Sequence, residues 1–325
     1  MNLPLGRATL ALIVSLLITA SVPAQSPVLE QNVRAELNFL ASDAMQGRGS
    51  GTTYERIAAE YVGSQFRQFG LEPGGDADAN GNKGFVQRVA LESARVVETW
   101  NVIGILRGSD PAAATEAIVL SAHLDHLGVS DTLAGDKIFN GADDDASGCV
   151  AVLELARALA AGKRPRRTIY FVGFGSEERG GYGSRYFRDN PPVPLTQIVA
   201  NLNFEMLGRP DPKVGADKVW LTGYERSNLG PELAKQGAAL VADPHPEQHF
   251  FQRSDNYSFA LRGVIAQTVS SFGLHTDYHR VTDEVSKVDF PFMTRAINSM
   301  VKPIQWLADS TFRPEWLPGQ APTRN

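Results

Sequence analysis

From residue 85 to residue 270 the chain alternates short apolar runs, rich in β-branched and aromatic residues, with stretches whose apolar residues recur at helical spacing. Strands buried on both faces read as continuous apolar runs, and the helices that cover them carry an apolar stripe. This alternation points to an α/β architecture. The runs 85–91, 100–106, 117–122, 168–174, 199–204, 219–222 and 264–269 are predicted strands. Segments 146–161, 181–189, 229–240 and 292–307 are predicted helices. Two amphipathic helices precede them: one through Val28, Val33, Leu37 and Leu40, the other over 52–69 with Gly70 as its stop. The Gly-, Asp- and Asn-rich stretch 74–84 is predicted to be an exposed loop. The expected fold is a three-layer α/β/α sandwich with a mostly parallel central sheet. Neither a repeat nor a long linker divides residues 25–325, so one domain is expected there.

Residues 1–24 read differently. Arg7 precedes an apolar run, Ala8 to Ala20, and the small-residue ending Ser21-Val22-Pro23-Ala24 follows. That order predicts a cleavable signal peptide. The run falls short of the about 20 residues that span a bilayer, so no stable membrane insertion is expected after cleavage. An exported protein, periplasmic or secreted, is the expectation. A single cysteine, Cys149, excludes an intrachain disulfide and CxxC-type zinc or redox motifs. It reads as a buried small apolar residue. With 31 Lys+Arg against 36 Asp+Glu and a net charge of -5, the chain lacks the basic footprint of a nucleic-acid binder. The one basic run, Lys163 to Arg167, lies between a helix and a strand and reads as a solvated turn.

In open α/β sheets ligands collect beyond the carboxyl ends of the strands, and here those ends carry the conspicuous polar residues. The run 117–122 leads into His123-Leu124-Asp125-His126, 168–174 into Ser176-Glu177-Glu178, and 199–204 into Glu205. Asn140-Gly141-Ala142-Asp143-Asp144-Asp145-Ala146-Ser147-Gly148 stands directly before a helix, and His275-Thr276-Asp277-Tyr278-His279 with Asp283 lies near the C-terminus. In an extended His123-x-Asp125 the carboxylate can hold one imidazole nitrogen while the other ligates a metal; a hydrogen-bonded loop histidine is the plainer alternative. Helix capping explains one of Asp143, Asp144 and Asp145, not all three, and a cation would relieve the remainder. Glu177-Glu178 reads either as a solvated pair or as a metal ligand beside a base. Two histidines and several carboxylates suit zinc, or equally manganese or cobalt, and the carboxylates outnumber the needs of one tetrahedral ion.

These five segments, in this order, resemble the M28 family of zinc peptidases, most closely its bacterial aminopeptidases. The matching pieces are His123-Leu124-Asp125, Gly141 to Gly148, Ser176-Glu177-Glu178, Asn203-Phe204-Glu205-Met206 and Tyr278-His279. The opening Leu40 to Gly51 and Gly70-Leu71-Glu72-Pro73 also look like the family's N-terminal region. The resemblance implies two Zn2+ per chain: His123 and Glu205 on one, Glu178 and His279 on the other, with Asp144 bridging. It implies that Asp125 orients His123, Glu177 serves as general base and Tyr278 hydrogen-bonds the developing oxyanion. Ser254-Asp255 resembles a supporting segment, and Asp283 is expected to support His279. Glu205 stands where many members carry Asp, and His126 and His275 are further imidazoles near the site. The implied activity is removal of N-terminal residues from peptide substrates. A carboxypeptidase or dipeptidase on the same fold, a glutaminyl cyclase-like enzyme and a non-enzymatic binding protein are the competing readings. Phe250, Phe251, Phe272 and Met206 are candidates for an apolar first-residue pocket, or for core packing.

Overall fold

The computed structural model describes residues 27–91, 96–113 and 115–323. The signal peptide expected over 1–24 and the expected domain start at residue 25 lie outside the described residues.

The strands are β1 (Glu72–Pro73), β2 (Val86–Ala90), β3 (Glu98–Leu106), β4 (Ala117–His123), β5 (Gly128–Val129) and β6 (Ile138–Phe139). They continue with β7 (Thr168–Phe174), β8 (Ile198–Phe204), β9 (Val219–Leu221), β10 (Leu240–Ala242) and β11 (Ala266–Ser270). The helices are α1 (Glu30–Leu40), α2 (Thr53–Gln68), α3 (Gly148–Ala161), α4 (Tyr182–Asp189), α5 (Leu229–Lys235), α6 (Asn256–Ala260) and α7 (Phe290–Asp309).

One sheet takes nine of these strands in the order β1-β3-β7-β4-β8-β11-β9-β10, with β2 also on β3, and β5-β6 form a separate hairpin. Its centre, β7-β4-β8-β11, is parallel. Beyond the centre β3 joins β7 antiparallel and β9 joins β11 antiparallel. Parallel pairing thus concentrates where both faces are covered by helices.

Alternation along the strands builds the layers. Ile118, Leu120 and Ala122 of β4 and Ile169 and Phe171 of β7 pack with α1, α2, α3, α5 and α7 on one face. Ala117 and Val119, with Tyr170, Val172 and Phe174, face Phe187 of α4 and Phe259 of α6 on the other. Each fully buried Leu, Ile or Phe contributes roughly 1.5–3 kcal/mol, so the two faces together hold the sandwich shut. Helix α3 is buried nearly all round, Cys149 included.

Where elements depart from expectation the causes are local. Helix α5 stops at Lys235 because Gly237 turns the chain at φ 101°, which frees Leu240 to begin β10. Residues 142–147 form a wide turn rather than the first turn of α3. Helix α6 and the two- and three-residue strands are too short to carry a periodic signal.

Candidate metal centre

Three adjacent parallel strands deliver the site. His123 ends β4 in register with Phe174, the last residue of β7, and Glu205 directly follows β8. Two residues beyond β7, the chain turns at Ser176 with φ 55° and presents Glu177 and Glu178. The segment after β11 carries His275, Tyr278 and His279 across the same edge. One face of the cleft is therefore assembled from chain segments far apart in sequence.

The three consecutive acids have three different environments. Asp145 accepts main-chain N–H groups of His123 (3.2 Å), Gly148 (3.0 Å) and Met206 (3.1 Å), tying β4, the start of α3 and the end of β8 together. Asp143 accepts from Gly208 N–H at 2.6 Å and lies 2.8 Å from His275 Nε2. Asp144 alone turns its carboxylate to the cleft. Its Oδ1 is 3.2 Å from His123 Nε2 and its Oδ2 is 3.2 Å from His279 Nε2. Gly148 makes this arrangement possible, since a Cβ there would run into the Phe204 carbonyl and the Asp145 carboxylate. Asp283, expected beside His279, instead accepts the N–H groups of Asp143 and Asp144 and pairs with Arg209 at 3.1 Å. It shapes the acid turn rather than the histidine.

Two groups of side chains each bring their ligand atoms within 4.8 Å of one another: His123, Asp144 and Glu205, and His126, Asp144 and Glu178. His279 joins the second, 3.3 Å from Glu178 Oε1, while His126 Nδ1 lies 2.8 Å from that same oxygen. His123 Nδ1 is 3.1 Å from the Asp125 carbonyl oxygen and 3.7 Å from its carboxylate. Donation to the carbonyl leaves Nε2 with a lone pair, and that buried nitrogen has no hydrogen-bond partner among the described residues. The Asp125 carboxylate accepts from the N–H groups of Glu177 (2.9 Å) and Glu178 (3.3 Å) and from the Ser50 hydroxyl. Asp125 thus holds the ring through its main chain and the two glutamates through its side chain.

The electrostatics ask for a cation. Burial pushes Glu205 up to about 7; His123 pulls it down, and Asp144 and Asp255 add to the rise. Burial likewise raises Glu177 well above the usual carboxylate range, opposed by His123 and reinforced by Asp255, Glu205 and Glu178. Burial works against charge on His279, yet Asp144 and Glu178 carry its imidazole up to about 10. A bare imidazole nitrogen facing crowded buried carboxylates is the donor set that zinc-type ions take, so the residues fit such an ion.

Tyr278 stacks on His279, ring centroids 3.9 Å apart, and burial followed by Asp144, Glu205 and Glu178 raises its phenol, which stays a hydrogen-bond donor. It also lines a pocket with Met206, Trp220, Phe250 and Phe272, directly beside Glu205. Phe251 packs in the core instead. Glu177 opens onto a second, wider groove of about 500 Å³.

Sequence reasoning passed over two buried supports. Glu55 of α2 accepts from Ser176 N–H (2.7 Å), Thr99 Oγ1 (2.8 Å) and Gly51 N–H (2.8 Å), and so pins the turn that carries Glu177. The available signal was an acid in the stripe Glu55, Ala59, Val62, Phe66, at spacings that put all four on one helix face. Arg48, also buried, donates to the carbonyls of Leu40 (2.6 Å), Leu124 (2.9 Å), Asn140 (2.8 Å) and Gly141 (3.0 Å). It knits the N-terminal region to the loops on either side of the site.

Comparison with known proteins follows the same lines. The sequence model of Peptidase family M28 matches residues 101–302. A probable zinc metalloprotease of Pyrenophora tritici-repentis is 28% identical over 180 residues, 55% of this chain and 36% of its own length. The chain thus spans little more than a third of that curated relative. An aminopeptidase from Aneurinibacillus sp. strain AM-1 superposes with a TM-score of 0.66 at 15% identity, covering 92% of this chain and 98% of the other. Porphyromonas gingivalis glutaminyl cyclase gives 0.66 at 18% identity, covering 87% and 99%. At these identities the two structures speak for the fold.

Proposed function

The chain belongs to peptidase family M28, and on that footing we propose that it is an exported zinc aminopeptidase that removes N-terminal residues from peptides. The observation that carries this reading is Asp144, whose two oxygens face two separate histidine–carboxylate groups, with Glu177 alongside. In this reading His123, Asp144 and Glu205 hold one zinc and Asp144, Glu178 and His279 the other. Bound ions of this kind acidify water and polarise a substrate carbonyl.

The chain's own residues supply the rest. Glu177, whose carboxyl burial raises well above the usual carboxylate range, takes a proton from the attacking water and returns it to the leaving amine. Its position is set by Asp125, which accepts its N–H, and by Glu55 behind Ser176. Tyr278 donates its phenol proton in a hydrogen bond to the carbonyl oxygen as charge develops there. Met206, Trp220, Phe250 and Phe272 receive an apolar first side chain beside Glu205.

The test is hydrolysis of leucine 4-nitroanilide and of leucyl peptides with free or acetylated amines, with and without chelator. Metal-dependent cleavage that requires the free amine supports the reading. Cyclisation of N-terminal glutamine without hydrolysis, or hydrolysis untouched by complete metal removal, refutes it.

A further inference from the structure

The apolar pocket beside Glu205 and the groove beside Glu177 meet at Arg253 and Ser254, which line both. This inference rests on the hydrolytic reading above. A first side chain in the apolar pocket and a proton delivered by Glu177 place the scissile bond at that junction. The leaving portion then occupies the groove. Its volume of about 500 Å³ suits a short leaving group rather than a long chain held end to end.

The walls of the groove are cationic. Arg185, Arg188 and Arg253 line it, against Glu177 and Asp255. Arg188 is already matched, since Asp189 takes its Nε at 2.9 Å and its second nitrogen at 2.5 Å. Arg185 and Arg253 each lie against an aromatic ring, their guanidinium carbons 5.1 Å from the Tyr182 ring centroid and 5.0 Å from the Phe250 ring centroid, and Arg185 is close enough to Asp255 to lower its carboxyl. Stacking fixes the plane of a guanidinium and leaves its N–H edge for a planar anion. Asp255 is buried at 2% exposure and both its carboxylate oxygens are covered, so they do not reach a ligand held between the exposed Arg185 and Arg253. Glu177 is committed to proton transfer.

We propose that this groove is a subsite for a carboxylate on the second residue of the substrate, bound by Arg185 and Arg253. The carboxylate has two sources: the free C-terminus of a dipeptide, or an acidic side chain at the second position. Charge-assisted hydrogen bonds to a guanidinium fork are among the stronger neutral-pH contacts.

The experiment compares kcat/KM of the metal-loaded enzyme for Leu-Ala, Leu-Ala-amide, Leu-Glu-amide and Leu-Gln-amide. The expected result is a preference of about tenfold or more for the anionic member of at least one pair, shrinking as salt rises. Leu-Ala over its amide assigns the C-terminus; Leu-Glu-amide over Leu-Gln-amide assigns the side chain. Arg185→Ala and Arg253→Ala are expected to bring the ratio towards one, and Arg185→Lys to retain part of it. Equal rates within both pairs, or a ratio unmoved in both alanine variants, overturn the subsite while leaving the hydrolytic reading intact. Failure to hydrolyse any of the four, or leucine 4-nitroanilide, overturns both.

Discussion

Glu55 offers the sharpest test of how the scaffold holds the site. Burial, with Asp125 adding to it, pushes its carboxyl from 4.5 up to about 8. The folded protein therefore keeps this proton until about pH 8, while the unfolded chain releases it near 4.5. Between those values the native state binds more protons, so this group lowers stability as pH rises. The full slope is about 1.4 kcal/mol per pH unit, which amounts to about 3 kcal/mol between pH 5 and pH 7. Glu55→Gln removes the titration while keeping one carbonyl oxygen for Ser176 N–H and Thr99 Oγ1. Its amide N–H2 then faces Gly51 N–H, where the Glu55 carboxyl oxygen had accepted at 2.8 Å, and that lost bond costs about 1–3 kcal/mol. Denaturant unfolding of both proteins at pH 5, 6, 7 and 8.5 separates these effects. The variant is expected to be less stable at pH 5, to gain on the parent steadily up to pH 7, and to run parallel to it above pH 8. A stability difference independent of pH would refute the buried, proton-holding Glu55. In the same samples Glu55→Ala, which leaves Ser176 N–H without an acceptor, is expected to lower kcat by about tenfold or more, with Glu55→Gln much closer to the parent.

Glu177→Gln is expected to keep its zinc content, measured by elemental analysis, while peptidase turnover falls by roughly 10²-fold or more; loss of metal in that variant would count against its role as base. Gly148→Ala forces a Cβ against the Phe204 carbonyl and the Asp145 carboxylate, and its thermal unfolding midpoint should fall by the equivalent of about 2 kcal/mol or more. A midpoint equal to the parent's would show that α3 starts with more room than the packing indicates. If the proposed two-zinc site is correct, His279→Ala should lose one of two zinc equivalents and His126→Ala should retain both, measured by elemental analysis; the reverse pattern reassigns the ligand.

Much of the fold was legible because its central strands are long, apolar and bounded by polar clusters. The run 168–174 was expected as a strand and β7 is Thr168–Phe174. The strands at 117–122 and 199–204 differ from β4 and β8 by one residue at one end. The parallel centre could be anticipated from strand-helix alternation; the antiparallel pairings of β3 with β7 and of β9 with β11 could not, since an apolar run does not reveal its direction, and β1 and β10 contain only two and three residues. At the site the strand-end rule brought forward His123, Glu177, Glu178 and Glu205, which the fold gathers on one edge. What stayed hidden was support that depends on three-dimensional contact. Asp143, Asp144 and Asp145 look equivalent in a row, and only the close passage of β4, β8 and α3 gives Asp145 its three main-chain donors. Arg48 sits in a Gly-rich loop, where nothing local marks a buried guanidinium.

The pair of imidazoles around Glu178 differs in burial and in distance to the carboxylates, which bears on the proposed second ion position. His126 is buried, and its ring lies where Gly141 leaves space: a Cβ at Gly141 would meet His126 Cδ2 at 2.6 Å. It sits 2.8 Å from Glu178 but 3.7 Å from Asp144. His279 is half-exposed, held at φ 55° on the segment after β11, and lies at nearly equal distance from both carboxylates, 3.2 and 3.3 Å. In the two-zinc reading Asp144 and Glu178 would both hold this ion, and the equidistant imidazole would be the better third ligand. That ion would also keep a position open toward substrate, which favours a ligand from the cleft side over one from the core side. On that reading His126, 2.8 Å from Glu178, would be the partner that orients this carboxylate, a role that carboxylate ligands need filled by a neighbouring donor. The stacked Tyr278 adds to the same asymmetry, because whatever fixes the His279 ring also fixes the phenol beside the apolar pocket. Ligand placement and substrate placement on that side are consequently a single structural problem.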